Sequence, residues 1–156
     1  MLKSPITSEQ YRRGALERLS DARVLLRAGQ FAGSAAASGR AVEGMLRAVI
    51  WKRDIDIMTG KKSLDTGHDL RELLTHVRNL GLLSYHAGLD AELESQIQDI
   101  ARLWFNNMRF LSSKSVETIW YNLGEVRKGR TFKQANESFY FASESLVKRC
   151  EILCQR

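Results

Sequence analysis

The chain has 156 residues, of which 44% are apolar and 27% charged, which suits one domain with a hydrophobic core. We therefore treat residues 1–156 as a single domain. No apolar run is long enough for a transmembrane helix, and the first residues lack the apolar stretch of a secretory signal. Two cysteines cannot form a disulfide scaffold. We expect a cytoplasmic protein without a membrane segment.

The chain is basic: Lys and Arg total 24 and Asp and Glu 18, so the formal charge is +6. This balance is compatible with nucleic acid, a nucleotide or an acidic protein as partner, but requires none of them. The one proline is Pro5. The rest of the chain therefore contains no proline that would interrupt a long helix.

Apolar residues recur at helical spacing in five segments joined by short connections. The predicted helices cover about 7–28, 31–53, 69–80, 90–111 and 132–153. Residues 54–67 lose the periodicity and predict a surface loop, whereas residues 112–130 fit a further short helix. The pattern predicts an all-α fold, an antiparallel up-and-down helical bundle of about five helices.

Two helices offer candidate surfaces for a second copy. Small residues crowd the first half of the second helix and predict close approach of a neighbouring helix. The last helix carries an apolar stripe that is larger than a small bundle needs. Its members are Ala135, Phe139, Ala142, Leu146, Cys150 and Leu153, with Phe141 and Val147 beside them. Surplus apolar surface predicts a homodimer.

Two polar groups on the predicted helices are candidates for ligand binding. Arg40, Glu43 and Arg47 are three and four residues apart, so they share one side of the second helix. A surface ion pair explains them equally well. His68 and Asp69 precede the third helix, where Asp69 suits the helix dipole and His68 is either a cap or an outward-pointing donor.

A third polar group lies near the end of the predicted fourth helix. Asn106, Asn107 and Arg109 stand there among bulky apolar residues, and Lys114 follows. Arg109 has two possible roles: to bond the last carbonyls of the helix, or to bind phosphate through its planar fork. The sequence does not decide between them.

No metal or cofactor site is predicted. Cys150 and Cys154 are four residues apart on one helix, but no histidine-rich segment accompanies them, so we expect both in or beside the core. His76 and His86 have no neighbours that suggest metal ligation, and we treat both as structural or solvent-facing. The chain contains no glycine-rich dinucleotide fingerprint.

In their order and spacing, four phrases resemble the HEPN family (higher eukaryotes and prokaryotes nucleotide-binding domain). Residues 26–31 (Leu-Arg-Ala-Gly-Gln-Phe) resemble the phrase at the end of the family's first helix, and residues 41–48 (Ala-Val-Glu-Gly-Met-Leu-Arg-Ala) that of its second. Residues 68–74 (His-Asp-Leu-Arg-Glu-Leu-Leu) resemble the start of its third helix. Residues 108–110 (Met-Arg-Phe) resemble the arg-tyr phrase after its fourth.

The resemblance implies a helical bundle that commonly dimerises and binds nucleotide or RNA. Some members are toxin ribonucleases with an arg-x4–6-his motif at the dimer interface. Arg109 matches that arginine, but no histidine follows it, and Lys114 stands where the histidine is expected. A lysine of ordinary pKa is protonated at pH 7 and accepts no proton. We therefore expect no strong ribonuclease activity through this motif.

Three functions follow from this reading. The first is a non-catalytic module that binds nucleotide or RNA phosphate through Arg109, assisted by Asn106, Asn107 and Lys114, with the second-helix arginines nearby if the second and fourth helices pack side by side. The second is a divergent ribonuclease in which folding brings His68 to Arg109. The third is a dimerising protein-interaction module. By resemblance, a nucleotidyltransferase partner, a toxin–antitoxin pair or a defence system is the expected context.

Overall fold

The computed structural model describes residues 6–64, 67–85 and 88–155. These residues form an all-α bundle, as predicted, and none of them belongs to a β-strand. The α-helices are α1 (Ser8–Arg27), α2 (Phe31–Arg53), α3 (Ile55–Met58), α4 (Leu70–Asn79), α5 (Leu89–Leu103), α6 (Ser113–Asn122) and α7 (Phe132–Gln155). Two 3-10 turns cover Leu82–Tyr85 and Asn106–Phe110. No helix in this part of the chain is long and apolar enough to cross a membrane.

Helices α1 and α2 form an antiparallel hairpin, as the short connection between them predicts. The hydroxyl of Ser8, at the start of α1, donates to the carbonyl of Ala48 near the end of α2 at 2.7 Å. At the other end, the hydroxyl of Ser34 donates to the carbonyl of Ala22 at 2.8 Å. The small residues of α2 therefore serve contacts within the protomer.

Helix α2 is the centre of the bundle and also contacts α4, α6, α7 and the 3-10 turn Asn106–Phe110. Helix α7 runs parallel to α2, because the rings of Phe31 and Phe132 meet where both helices begin and Arg53 Nε donates to the carbonyl of Leu153 where both end. The predicted stripe of α7 is buried between these helices, apart from the partly exposed Ala142, and Val147 is buried as well. Phe141 is exposed. Most of the stripe is therefore core surface and is not free for a second copy.

Helix α5 runs antiparallel to its two neighbours, α4 and α7. Gln96 of α5 donates to the hydroxyl of Ser145 on α7, and Arg149 near the end of α7 pairs with Glu92 near the start of α5. Helix α4 runs parallel to α2, since its His76 contacts Asp54 just after α2 while His68, which precedes α4, contacts the middle of α2. The connection between α2 and α4 therefore crosses the bundle.

Two boundaries differ from the sequence prediction. The fourth predicted helix ends at Leu103 and not near Leu111, because Trp104 adopts an extended backbone and its indole nitrogen donates to the carbonyl of Ala36 on α2. The chain then continues as the separate 3-10 turn, so Arg109 does not end an α-helix. Within the predicted loop 54–67, the Asp54 carboxylate caps the one-turn helix α3.

Candidate phosphate-binding site

A hydrogen-bonded triad forms where α2 meets the start of α4. The side chain of Glu43 is only 10% exposed, and its Oε1 accepts from the Nε and Nη2 of Arg47 at 3.3 and 3.2 Å. The same oxygen lies 2.5 Å from Nδ1 of His68. Since a carboxylate only accepts hydrogen bonds, His68 carries a proton on Nδ1. Neutral His68 therefore has Nε2 as its acceptor, and about half of its side chain is exposed (48%).

The backbone before α4 holds His68 in this position. Gly67 and His68 both adopt positive φ, 56° and 71°. For a residue other than glycine, a positive φ is uncommon. Asp69 follows as the N-cap of α4, and its carboxylate accepts from the amides of Arg71 and Glu72. The N-cap of α4 is therefore Asp69 and not His68, which contacts Glu43 instead.

A cavity of about 240 Å³ opens beside this triad, between the start of α4 and the end of α5. His68 and Arg71 line it from the α4 side. Trp104, Phe105 and Asn106 line it from the other side. The cavity therefore brings together two of the three polar groups that the sequence singles out, His68 and Asn106.

Arg109 is attached to this cavity through Asn106. Its Nη1 donates to the carbonyl oxygen of Asn106 at 3.0 Å and to the side-chain Oδ1 at 2.6 Å. The guanidinium also lies over the ring of Phe110, 4.4 Å from its centroid. The side chain is exposed and forms no ion pair with any carboxylate in the described chain. Arg109 therefore bonds a carbonyl of the 3-10 turn and not the last carbonyls of α5, and its other N–H groups form no hydrogen bond in the described residues.

The other predicted residues do not line the cavity. Arg40 is half-buried on α2, and Asn107 is exposed on the 3-10 turn. The segment packed beside this part of α2 is Trp104 and the 3-10 turn, after α5 has ended. Lys114 lies on α6 and lines a different depression, together with Tyr121. The structure therefore does not bring Lys114 into the cavity that His68 lines.

Arg71 is not among the residues predicted for the site. Its Nε donates to the amide oxygen of Gln98 at 2.8 Å, and it has no carboxylate partner in the described residues. One signal was available, since Arg71 follows His68 by three residues in the phrase at the start of α4. It is the arginine that lines the cavity, whereas Arg109 is attached through Asn106.

No group of three or more potential metal ligands occurs among the described residues. Of the two alternatives for His76, structural or solvent-facing, the contacts favour the first. Its Nε2 lies 2.6 Å from Oδ2 of Asp54. Cys150 and Cys154 are free thiols buried in the core, which confirms their predicted place. His86 lies outside the described residues.

The fold and this cavity define an all-α domain in which a Glu-His-Arg triad joins α2 to the residues just before α4, with an arginine beside it that has no carboxylate partner in the described residues. The chain matches the family model of the HEPN domain over residues 8–108 and belongs to the HEPN domain family. The matched segment contains the triad and the cavity and ends one residue before Arg109. No match to the chain was found among curated proteins or among solved structures.

Proposed function

We propose that this HEPN domain binds the phosphate of a nucleotide or of RNA at the cavity between α4 and the 3-10 turn. The observation that carries the proposal is the position of Asn106, which lines the cavity beside His68 and holds Arg109 at its edge. Arg71 and Arg109 then supply two guanidinium groups without carboxylate partners in the described chain. Planar guanidinium forks suit phosphate oxygens.

The remaining predicted residues have supporting roles in this proposal. Glu43 and Arg47 are positioning residues, since Glu43 is mostly buried and bonded to both His68 and Arg47. Arg40 and Asn107 add polar and basic surface next to residues that line the cavity, and Lys114 adds positive charge on α6, beside another depression. They contribute to the attraction of a polyanion more than to its orientation.

The test compares Arg109→Ala with Arg127→Ala in fluorescence anisotropy with a labelled single-stranded RNA and with AMP as competitor. Arg127 is a matched control, because its Nη1 also donates to the carbonyl three residues earlier, that of Gly124. We expect Arg109→Ala to weaken binding about tenfold or more, as a lost charged hydrogen bond does. Arg109→Lys restores part of it, and added salt weakens it. Equal losses in the two alanine variants contradict the proposal.

The Glu43–His68 pair favours a second candidate function, RNA cleavage. In this reaction Nε2 of His68 accepts the proton of a ribose 2′-hydroxyl, and the 2′-oxygen attacks the adjacent phosphorus. The bond from phosphorus to the 5′-oxygen breaks, that oxygen takes a proton from water, and a 2′,3′-cyclic phosphate results. Glu43 fixes the tautomer of His68, and Arg71 and Arg109 neutralise the charge that develops on phosphate.

Cleavage is tested with a purified chain and an RNA that contains either a ribose or a 2′-deoxyribose at one position. His68→Gln and Glu43→Gln are the decisive variants. Cleavage that requires the 2′-hydroxyl and is lost in His68→Gln supports the enzyme. Intact RNA with all proteins leaves the domain as a binding module, and cleavage equal in wild type and His68→Gln comes from a contaminant.

We propose that the domain acts as a homodimer whose interface includes the segment 105–111. Phe105, Phe110 and Leu111 are all exposed there, Phe110 to 72%. A short segment with three exposed apolar side chains beside a ligand site is typical of an interaction surface. A nucleotidyltransferase or an antitoxin in the cytoplasm is the first protein partner to test, and family membership alone supports that choice.

A further inference from the structure

A wider depression lies between the second half of α1 and α7, and we call it the α1–α7 groove. Its volume is about 660 Å³, within the range of about 300–1,000 Å³ of small-molecule sites. Arg23 and Arg27 line it from α1, and Lys133 and Phe141 line it from α7. None of these residues lines the cavity beside His68.

Three cations of the groove have no carboxylate partner in the part of the chain that the structure describes. They are Arg23, Arg27 and Lys133. Other arginines of α1 are paired: Arg18 Nε lies 2.9 Å from Oδ2 of Asp21. By contrast, no carboxylate of α1 pairs with Arg23 or Arg27 and neutralises their charge.

The acidic residues of the groove do not remove this excess. Glu144 is already engaged, since its Oε2 accepts from the Tyr140 hydroxyl at 2.9 Å and its Oε1 lies 3.6 Å from Nζ of Lys148. Burial, followed by the bond to Glu144, raises the pKa of Tyr140 to about 12, while the charges of Arg23 and Arg27 act in the opposite direction. The charges of both guanidinium groups therefore reach the hydroxyl of Tyr140, which lines the groove.

An exposed aromatic ring lies farther along α7. Phe141 is 60% exposed and packs edge-on against Tyr140, with 5.4 Å between the ring centroids. It follows Lys133 by eight residues, about 12 Å along the helix axis. Glu137, between them, has no ion-pair partner in the described residues. Along about two turns, the groove thus presents cations, a carboxylate and a ring.

We propose that the α1–α7 groove binds a nucleoside phosphate, either free or as one unit of a single-stranded RNA. Arg23, Arg27 and Lys133 bind the phosphate oxygens, and the base stacks on Phe141. Glu137 accepts from the ribose hydroxyls, a role that an inorganic anion does not satisfy. The inference is independent of the proposed function, because the two sites share no residue.

The experiment titrates the full chain with ADP, inorganic phosphate and a six-residue oligouridylate in separate calorimetric runs. The variants are Arg23→Ala/Arg27→Ala, Phe141→Ala and, for the other site, Arg109→Ala. Arg13→Ala/Arg18→Ala is the control, with the same change in net charge on the same helix. Arg23→Lys/Arg27→Lys keeps the charge and the fold but removes the planar forks. Circular dichroism checks the folding of each variant.

We expect the Arg23/Arg27 alanine pair to weaken the binding of ADP or oligouridylate about tenfold or more. Phe141→Ala should weaken the binding of ADP or oligouridylate more than it weakens the binding of inorganic phosphate, because phosphate has no base to stack on the ring. Arg109→Ala weakens the site beside His68, and the binding that remains in this variant is the part that the Arg23/Arg27 alanine pair loses. Response to ADP identifies a free nucleotide as ligand, and response to the oligouridylate alone identifies a strand. Binding that falls equally in the control pair, or that depends on Arg109 and not on Arg23 and Arg27, overturns the inference. In the second case the proposed function stands.

Discussion

The indole of Trp104 occupies the space that a side chain at Gly39 would need. A Cβ atom built on Gly39 lies only 2.1 Å from Cδ1 of Trp104. The indole nitrogen also donates to the carbonyl of Ala36, at 3.2 Å. This contact fixes the end of α5 on α2, and the 3-10 turn that carries Asn106 and Arg109 follows directly. The glycine on α2 therefore determines where the candidate phosphate site forms.

Gly39→Ala is expected to destabilise the fold. The added methyl group would overlap the indole, and overpacking of this kind costs about 1–3 kcal/mol. For a domain of this size, each kcal/mol lowers the Tm by about 2–4 °C. Thermal unfolding followed by circular dichroism measures the difference.

Gly14→Ala is the matched control on α1. A Cβ atom there meets nothing within 4 Å, so the variant gains helix propensity without a clash. We expect its stability to be unchanged or up to about 1 kcal/mol higher. A Gly39→Ala protein as stable as Gly14→Ala would show that Trp104 moves away without cost.

Local patterns in the sequence predict much of the fold. Helix α1 begins where its cap predicts, because Thr7 and Gln10 form a reciprocal capping box within four residues. The predicted end of the fourth helix, near Leu111, was wrong because a distant contact sets the end of α5. Trp104 fits the helical period of its own segment, but its packing on Gly39 and its bond to Ala36 draw the backbone into an extended conformation. No local pattern contains that information.

The candidate site shows the same division. Each of the three residues stands out in the sequence for its own reason: Glu43 by its spacing from two arginines, His68 by its place before a predicted helix, and Asn106 by its bulky apolar neighbours. Their association does not, because Glu43 and His68 are 25 residues apart and meet only since α4 returns parallel to α2. Arg71 was missed since an arginine in the first turn of a helix is ordinary by itself. Only the cavity shows it beside His68.

Asp54 is expected to stabilise the fold in a pH-dependent way. Burial raises the pKa of its carboxyl, but bonds from His76 and from the amides of Ile57 and Asp56 outweigh burial and hold this pKa below its usual range. A group with a lowered folded-state pKa stabilises at higher pH, and the contribution is lost as the pH falls through that pKa. Asp54→Ala, which also removes an N-cap, should cost about 0.5–2 kcal/mol at pH 7.

Urea unfolding at neutral pH and at steps below pH 4 measures this contribution. The difference between wild type and Asp54→Ala should be full at pH 7 and should shrink in the acidic steps. Asp21→Ala is the control, because its exposed carboxylate pairs with Arg18 on the surface. A constant difference down to the lowest pH at which the protein folds contradicts the role given to the carboxylate charge.

Both thiols are expected to resist alkylation in the folded protein. Burial raises the pKa of Cys150 to about 12, and burial raises that of Cys154 to about 11. Since the thiolate is the nucleophile, almost none is present at pH 8, and the core also excludes the reagent. Iodoacetamide followed by mass spectrometry should find no label on the native chain and two labels in guanidinium. Label on native Cys150 would mean that the end of α7 opens readily.

Phe110→Ser is expected to shift the protein from dimer to monomer if the segment 105–111 forms the interface. The ring is 72% exposed, so serine leaves the protomer's core unchanged and removes apolar surface only from this segment. Sedimentation velocity over a series of micromolar concentrations should show a dimer for wild type and a monomer for the variant. Val24→Ser removes a comparably exposed apolar side chain on α1 and should remain dimeric. A monomeric wild type contradicts the dimer proposal. A Phe110→Ser variant that dimerises like wild type shows that the interface does not include Phe110.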